Sequence, residues 1–257
     1  MTTTALAARP APIPGPGARV WRIVRLLTAN PWTTVWWPVL ILTAIFLMTL
    51  SIWGLIRLNV PDVGAEGLPG TQYNGGISWI FVYMLVVAVQ AINLSFPLAL
   101  GYGSTRRAFL LGTGLTFTIL AAAYALLLTV GSTLEEATRG WGSGGAFFRP
   151  FYFATDAGPL AQWWIYFCWL AFFLFTGVYF AAVFVRWRAV GLTLALLLFA
   201  AVVIGAVALL TFTGGWGLVG DAIGTLGTVG SASVMLVPGL VAAAIGYGVL
   251  RRATPRA

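Results

Sequence analysis

The chain has 257 residues, 60% of them hydrophobic and 8% charged, whereas soluble domains carry about 25% charged residues, so a water-soluble fold is excluded. Its fourteen basic residues are all arginine, set against six acids, with no lysine and no histidine. That inventory excludes histidine-ligated metal and haem sites and His-dependent serine hydrolysis, and a single cysteine excludes a disulfide framework.

The first seventeen residues, rich in Ala, Thr and Pro, read as a disordered tail without the apolar core of a cleaved signal peptide. Residues 18–27, Ala-Arg-Val-Trp-Arg-Ile-Val-Arg-Leu-Leu, follow. On a helical wheel Arg19, Arg22 and Arg25 share one arc, while Trp21, Ile23, Val24 and Leu27 fill most of the other side. Such a segment suits a helix lying in the headgroup plane; a plain basic stretch beside the membrane is the alternative. Asn30-Pro31 marks a break before the first apolar span.

A span needs about 20 apolar residues to cross about 30 Å of hydrocarbon. Six stretches qualify, at 34–55, 77–100, 108–130, 163–185, 189–210 and 234–250, and none holds a charge. The expected fold is therefore an all-α, polytopic, six-span membrane domain over 18–257, preceded by the in-plane helix. Arg9, Arg19, Arg22, Arg25, Arg106, Arg107, Arg186, Arg188, Arg251, Arg252 and Arg256 fall in alternate segments, on one side and without an acid. The other side holds Arg57, Arg139 and Arg149 with all six acids, Asp62, Glu66, Glu135, Glu136, Asp156 and Asp221. Positive loops stay in the cytoplasm, which places both termini inside. The arginines therefore read as topology signals and lipid contacts, and no nucleic-acid partner is expected.

Ion-coupled carriers hold ionisable ligands within the membrane, and these spans have none. Glu135 and Glu136 are adjacent, so they point about 100° apart on a helix and read as a solvated loop feature, not a catalytic pair. No enzyme is expected, and movement of any cargo would draw its energy from another subunit. In span two, Gln90 and Asn93 are three apart and share a face; they read as interhelical hydrogen-bonders or as lining residues of a pathway. Span four is the most aromatic, with Trp163 and Trp164 at its outer edge suited to interfacial anchoring and the rest suited to packing or lipid contact. Between 211 and 230 seven glycines recur, four of them (Gly217, Gly220, Gly224, Gly227) at helical spacing. That pattern fits either a short helix with a close-packing glycine face or a flexible loop.

The inner turn after span two reads Gly101-Tyr-Gly-Ser-Thr-Arg-Arg-Ala-Phe109, followed by Gly112-Thr113. Its glycines allow a sharp reversal, and Ser104 or Thr105 can cap the next helix. Arg106 and Arg107 then sit in its first turn, against the helix dipole. Topology alone accounts for them, and so does a docking surface for an acidic partner.

Six spans, an amphipathic helix before the first, and this Gly-Ser-Thr-Arg-Arg-x-Phe turn resemble the small permease subunits of bacterial ABC-2-type transporters. The resemblance covers the topology and about a dozen residues by motif. It implies that Tyr102, Gly103, Ser104, Thr105, Arg106, Arg107 and Phe109 form the segment contacting an ATPase subunit. It likewise implies that Arg19, Trp21, Arg22 and Arg25 belong to a connecting helix. The chain has no Gly-x-x-x-x-Gly-Lys loop, so the resemblance places ATP and Mg²⁺ in a partner ATPase. It also implies a second permease copy, or a related permease, in the cytoplasmic membrane of a bacterial cell. The competing expectations are a scaffold or sensor subunit, which needs no ATPase, and an ion-coupled carrier or channel.

Overall fold

The computed structural model describes residues 15–59 and 69–252, and every regular element among them is helical. In chain order these are α1 (Pro16–Leu27), α2 (Trp37–Asn59), α3 (Ser78–Gly101), α4 (Arg106–Ala137), α5 (Pro159–Phe212), α6 (Trp216–Val234) and α7 (Leu236–Arg252). Five apolar stretches are long enough to cross a bilayer: Trp32–Asn59, Gly70–Gly101, Arg106–Ala137, Pro159–Phe212 and Trp216–Arg252. The chain is thus an all-α, multi-pass membrane protein. Of the expected tail, residues 1–14 lie outside the described residues, while Pro16 and Gly17 already belong to α1. Proline suits a first helical position because its missing N–H would find no partner there. Arg9, Asp62, Glu66 and Arg256 also lie outside the described residues.

The break at Asn30-Pro31 is real. Asn30 Oδ1 accepts from Trp32 N at 3.1 Å, and its carbonyl accepts from the hydroxyls of Thr33 and Thr34. A π-type turn over Trp32–Trp36 then leads into α2. Helix α4 corrects the span expected at 108–130, since it runs through Glu135 and Glu136 to Ala137.

Helix α5 is nominally 54 residues long, or about 80 Å if straight, but Arg188 interrupts it at φ 58°, ψ −152°. The rings of Phe180 and Phe199 lie 6.3 Å apart, where nineteen residues of straight helix would separate them by about 28 Å. Residues 159–187 and 189–212 are therefore two arms folded back on one another. The first arm is the centre of the molecule. Gly177 meets α3 at Leu85 and Ala88, and α7 follows the other side, with Gly239 against Phe172 and Gly246 against Tyr179. The seven-residue step of that last pair shows α7 running parallel to the arm. Small residues let helix backbones approach closely, and in lipid such packing takes the place of a hydrophobic driving force. The second arm has only Ala195 buried; its exposed Leu and Val side chains are ordinary for a lipid-facing helix.

Of the 211–230 segment, residues 216–230 are helical, within α6, after a turn at 213–215, and the helix is broken at Gly227 by φ 63°. Both of its ends lie at one end of the bundle: Trp216 donates to Thr211 Oγ1 beside the end of α5, and Ser233 accepts from Trp164 Nε1. A Cβ added at Gly217, Gly220 or Gly224 meets nothing within 4 Å. The expected glycine face exists but packs against nothing among the described residues.

Candidate functional site

The packing sorts the charges to opposite ends of the bundle. One end collects the start of α1 and α4, the end of α3 and α7, and the α5 hinge. It carries Arg19, Arg22, Arg25, Arg106, Arg107, Arg186, Arg188, Arg251 and Arg252, and no acid among the described residues. The other end holds Glu135, Glu136 and Asp156 with Arg57, Arg139 and Arg149.

At the arginine end α1 lies against α4. Its apolar face, Ile23, Val24 and Leu27, is buried in the protein, not in lipid. The approach depends on Gly112, where an added Cβ would lie 2.7 Å from Ile23 Cγ2 and 3.0 Å from the Val20 carbonyl oxygen. Arg22 and Arg25 are exposed, Arg19 is half-buried, and Trp21 is 54% exposed, away from the buried face. Gly112→Leu should lift α1 from α4. A Val24→Cys reporter, inaccessible in the parent, should then become reactive to a polar maleimide, and continued protection would refute the docking.

The turn between α3 and α4 is a defined reversal. Gly103 takes φ 78°, Gly103 N donates to Leu100 O at 3.0 Å, and Ser104 N donates to Ala99 O at 3.0 Å. This pair of bonds satisfies the last carbonyls of α3 and favours glycine at the left-handed position. Thr105, not Ser104, caps α4 by accepting from Ala108 N at 3.2 Å. The seven residues expected to form one contact segment divide into two groups. Phe109 is fully buried and packs edge-on against Phe96 at 5.2 Å, so it is not available to a partner. The Arg106 guanidinium donates to the Arg251 carbonyl in the last turn of α7, a favourable place for a cation. That bond ties α4 to α7 and turns Arg106 onto the protein. Tyr102, 80% exposed, and exposed Arg107 are the large side chains this turn presents outward, beside the smaller exposed Thr105.

Gln90 and Asn93 are not brought together. Gln90 lines a cleft of about 260 Å³ with Asn30, Thr33, Thr34 and Ser95. Asn93 does not line it, and its Oδ1 is buried without a hydrogen-bond partner. Trp163 and Trp164, expected as interfacial anchors, turn their indole N–H groups inward, to the Ala122 carbonyl at 3.1 Å and to Ser233 Oγ at 2.8 Å.

At the opposite end the pattern reading missed a central residue. Glu135 is 3% exposed, not solvated. Its Oε2 accepts from Phe147 N at 2.8 Å, Phe148 N at 2.9 Å and Trp141 Nε1 at 3.1 Å, and its Oε1 accepts from Arg149 N at 2.9 Å. One carboxylate thus organises residues 141–149 into a cap. Trp53 of α2 abuts Gly145, and Phe46 packs on Trp141, Phe147 and Phe148. Exposed Glu136 pairs with Arg149, which also holds the Thr155 carbonyl at 2.9 Å. The backbone through Arg139, Gly140, Trp141 and Gly142 is left-handed, with φ from 51° to 72°. Comparison with protein-family models, with curated proteins and with solved structures found no match to this chain.

Proposed function

We propose that the chain is the membrane-spanning permease subunit of an ABC-type transporter, an exporter driven by a separate ATPase that binds ATP and Mg²⁺. In this reading it crosses the cytoplasmic membrane of a bacterial cell six times, with the arginine end and both termini inside. The two arms of α5 supply two of those crossings, and α6 returns to the outer surface. Segregation of the arginines supports the orientation. A second copy, or a related permease, completes the transporter.

The observation that carries the proposal is the construction of the α3–α4 turn. It offers Tyr102 and Arg107 outward while Phe109 and Arg106 fix it to α3 and α7 beneath. Force applied to the turn by closing ATPases reaches three helices at once, as a rocking motion between inward- and outward-facing states requires. The outer cap favours a second reading, a scaffold or sensor subunit that engages a partner through that rigid surface.

Purification in mild detergent distinguishes them. The permease reading expects an ATP-hydrolysing subunit to copurify in stoichiometric amount, and Tyr102→Ala with Arg107→Glu to cut its recovery on the order of tenfold, the loss of about 1.4 kcal/mol. Insertion of that variant, followed by protease protection, should be unchanged. A correctly inserted variant that retains the ATPase removes the proposal, and a native chain that brings down no ATPase favours the scaffold.

A further inference from the structure

Halfway along α3 stands an amide with nothing to bond. Gln90 lies twelve residues after Ser78 and eleven before Gly101, about 17 Å from either end of the helix. It is exposed, and its side chain makes no hydrogen bond among the described residues. Hydrocarbon offers such a group no partner, and polar side chains at this depth of a spanning helix mark places where something else supplies one.

The cleft of about 260 Å³ beside Gln90 is where that partner would sit. Its facing wall is the break around Asn30, and that wall is deep as well: the Thr34 carbonyl accepts from the hydroxyl of Tyr124, eighteen residues into α4, at 2.8 Å. Thr33 and Thr34 direct their hydroxyl protons to the Asn30 carbonyl, and Ser95 directs its own to the Ala91 carbonyl. Asn30 Oδ1 accepts from Trp32 N. What stays unused is the Gln90 amide, the Asn30 N–H₂ group and lone pairs on three hydroxyl oxygens. The other lining residues are Leu, Val and Ala, and none is charged.

These features select the occupant. An anion would need a cation in the wall and a cation an acid, and a charge at this depth is costly besides. A plain acyl chain would leave the amides unpaired. A hydroxyl meets both needs, since its oxygen accepts from an amide N–H and its proton goes to a threonine or serine oxygen. Leu94, 77% exposed, and exposed Leu98 border the cleft on its lipid side, so the apolar remainder of the molecule has a path along α3. We propose that this cleft binds an uncharged lipophilic alcohol, drawn laterally from the bilayer, whose hydroxyl pairs with the Gln90 amide opposite Asn30. The site does not depend on the transporter reading.

The test reconstitutes the full chain alone in nanodiscs and photolabels it with a long-chain primary alcohol carrying a diazirine, or with the same molecule lacking its hydroxyl. Peptide mass mapping reads labelling of residues 26–34 and 87–98, which contain the cleft, relative to the exposed second arm of α5, so that differences in partitioning cancel. The alcohol should label the cleft about fivefold better than the alkane, the worth of one hydrogen bond inside a membrane. Gln90→Leu should level the two probes. Asn93→Leu, which removes an amide of the same helix outside the cleft, should keep the difference. Leu94→Trp, which closes the lipid side without touching the amide, should lower labelling by the alcohol as well, so the assignment does not hang on one variant. Equal labelling of the parent by alcohol and alkane would overturn the site. So would equal loss in the Asn93 variant, which would make the effect structural. Stronger labelling by a carboxylate or quaternary ammonium analogue would assign the cleft to a charged ligand. Disulfide-linked dimers of Gln90→Cys in native membranes would give the amide to a second copy, since the native Cys168 is buried. No ATPase is present in this measurement, so its failure leaves the copurification result standing, and the reverse holds too.

Discussion

Replacing Glu135 by alanine is expected to destabilise the protein by roughly 4 kcal/mol and to open the segment 138–158 to proteolysis while the helices stay inserted. The reason is the number of donors that meet on one carboxylate. Phe147 N, Phe148 N, Arg149 N and Trp141 Nε1 all point at it. Truncation leaves buried N–H groups without partners, each costing about 1–3 kcal/mol, and the shared site makes these losses less than additive. The left-handed turn at residues 139–142 stands in a sparsely populated backbone region and persists only where neighbouring contacts over-determine it. With Glu135 gone, those contacts go too. Glu135→Gln retains one acceptor oxygen but turns an amide N–H₂ toward other donors, so about half the loss is expected. Glu136→Ala should change stability by less than about 0.5 kcal/mol, because its ion pair with Arg149 is exposed at the glutamate. Thermal unfolding in detergent with limited proteolysis reads all three variants. Equal Tm values for the Glu135 and Glu136 variants would dismiss the cap as an organising element.

The contrast between these neighbours shows where sequence reasoning reached and where it stopped. Apolar length and flanking charge located α2, α3, both arms of α5 and α7 to within a few residues, because bilayer thickness imposes that pattern on any chain, whereas α4 overran its expected end. The Asn30-Pro31 break and the Gly103 reversal were equally legible, since each depends on a residue with a special backbone preference. Glu135 was not. Two adjacent glutamates near a span end look solvated, and the partners that bury one of them are backbone N–H groups twelve to fourteen residues later, which leave no mark on composition. Nor were the neighbours of Phe109 and Arg106 legible, for a related reason. A motif records which residues adjoin in the chain, whereas Phe96 and the Arg251 carbonyl reach them from other helices. Gln90 and Asn93 share a helix, yet their sixty-degree offset was enough to send one to a cleft and the other into packing. The glycines of α6 announced a helix that could be approached closely, but composition cannot say whether anything approaches.

Gly177→Leu is the other substitution expected to cost most, about 3 kcal/mol, at the upper end of what overpacking usually does. A Cβ at this position would lie 2.7 Å from the Leu85 carbonyl oxygen and 2.7 Å from Ala88 Cβ. The first of these is backbone and has no rotamer to give, so α3 must move as a body away from the first arm of α5. That arm also carries α7 on its far side through Gly239 and Gly246, so the displacement cannot be absorbed by shifting α5 without opening the second contact. Gly205→Leu is the matched control: it lies on the exposed second arm, where an added Cβ meets nothing within 4 Å, and its effect should stay within about 0.5 kcal/mol. Thermal unfolding in detergent compares them, and equal Tm values would mean that α3 and α5 are not in backbone contact. If the gap appears, α3, the first arm of α5 and α7 behave as one rigid block. Arg106 fastens the start of α4 to that block through α7, and Phe109 fastens it through α3. A push delivered at Tyr102 and Arg107 would then move the block as a whole. The second arm of α5, held by few contacts of its own, is the element against which it has room to turn.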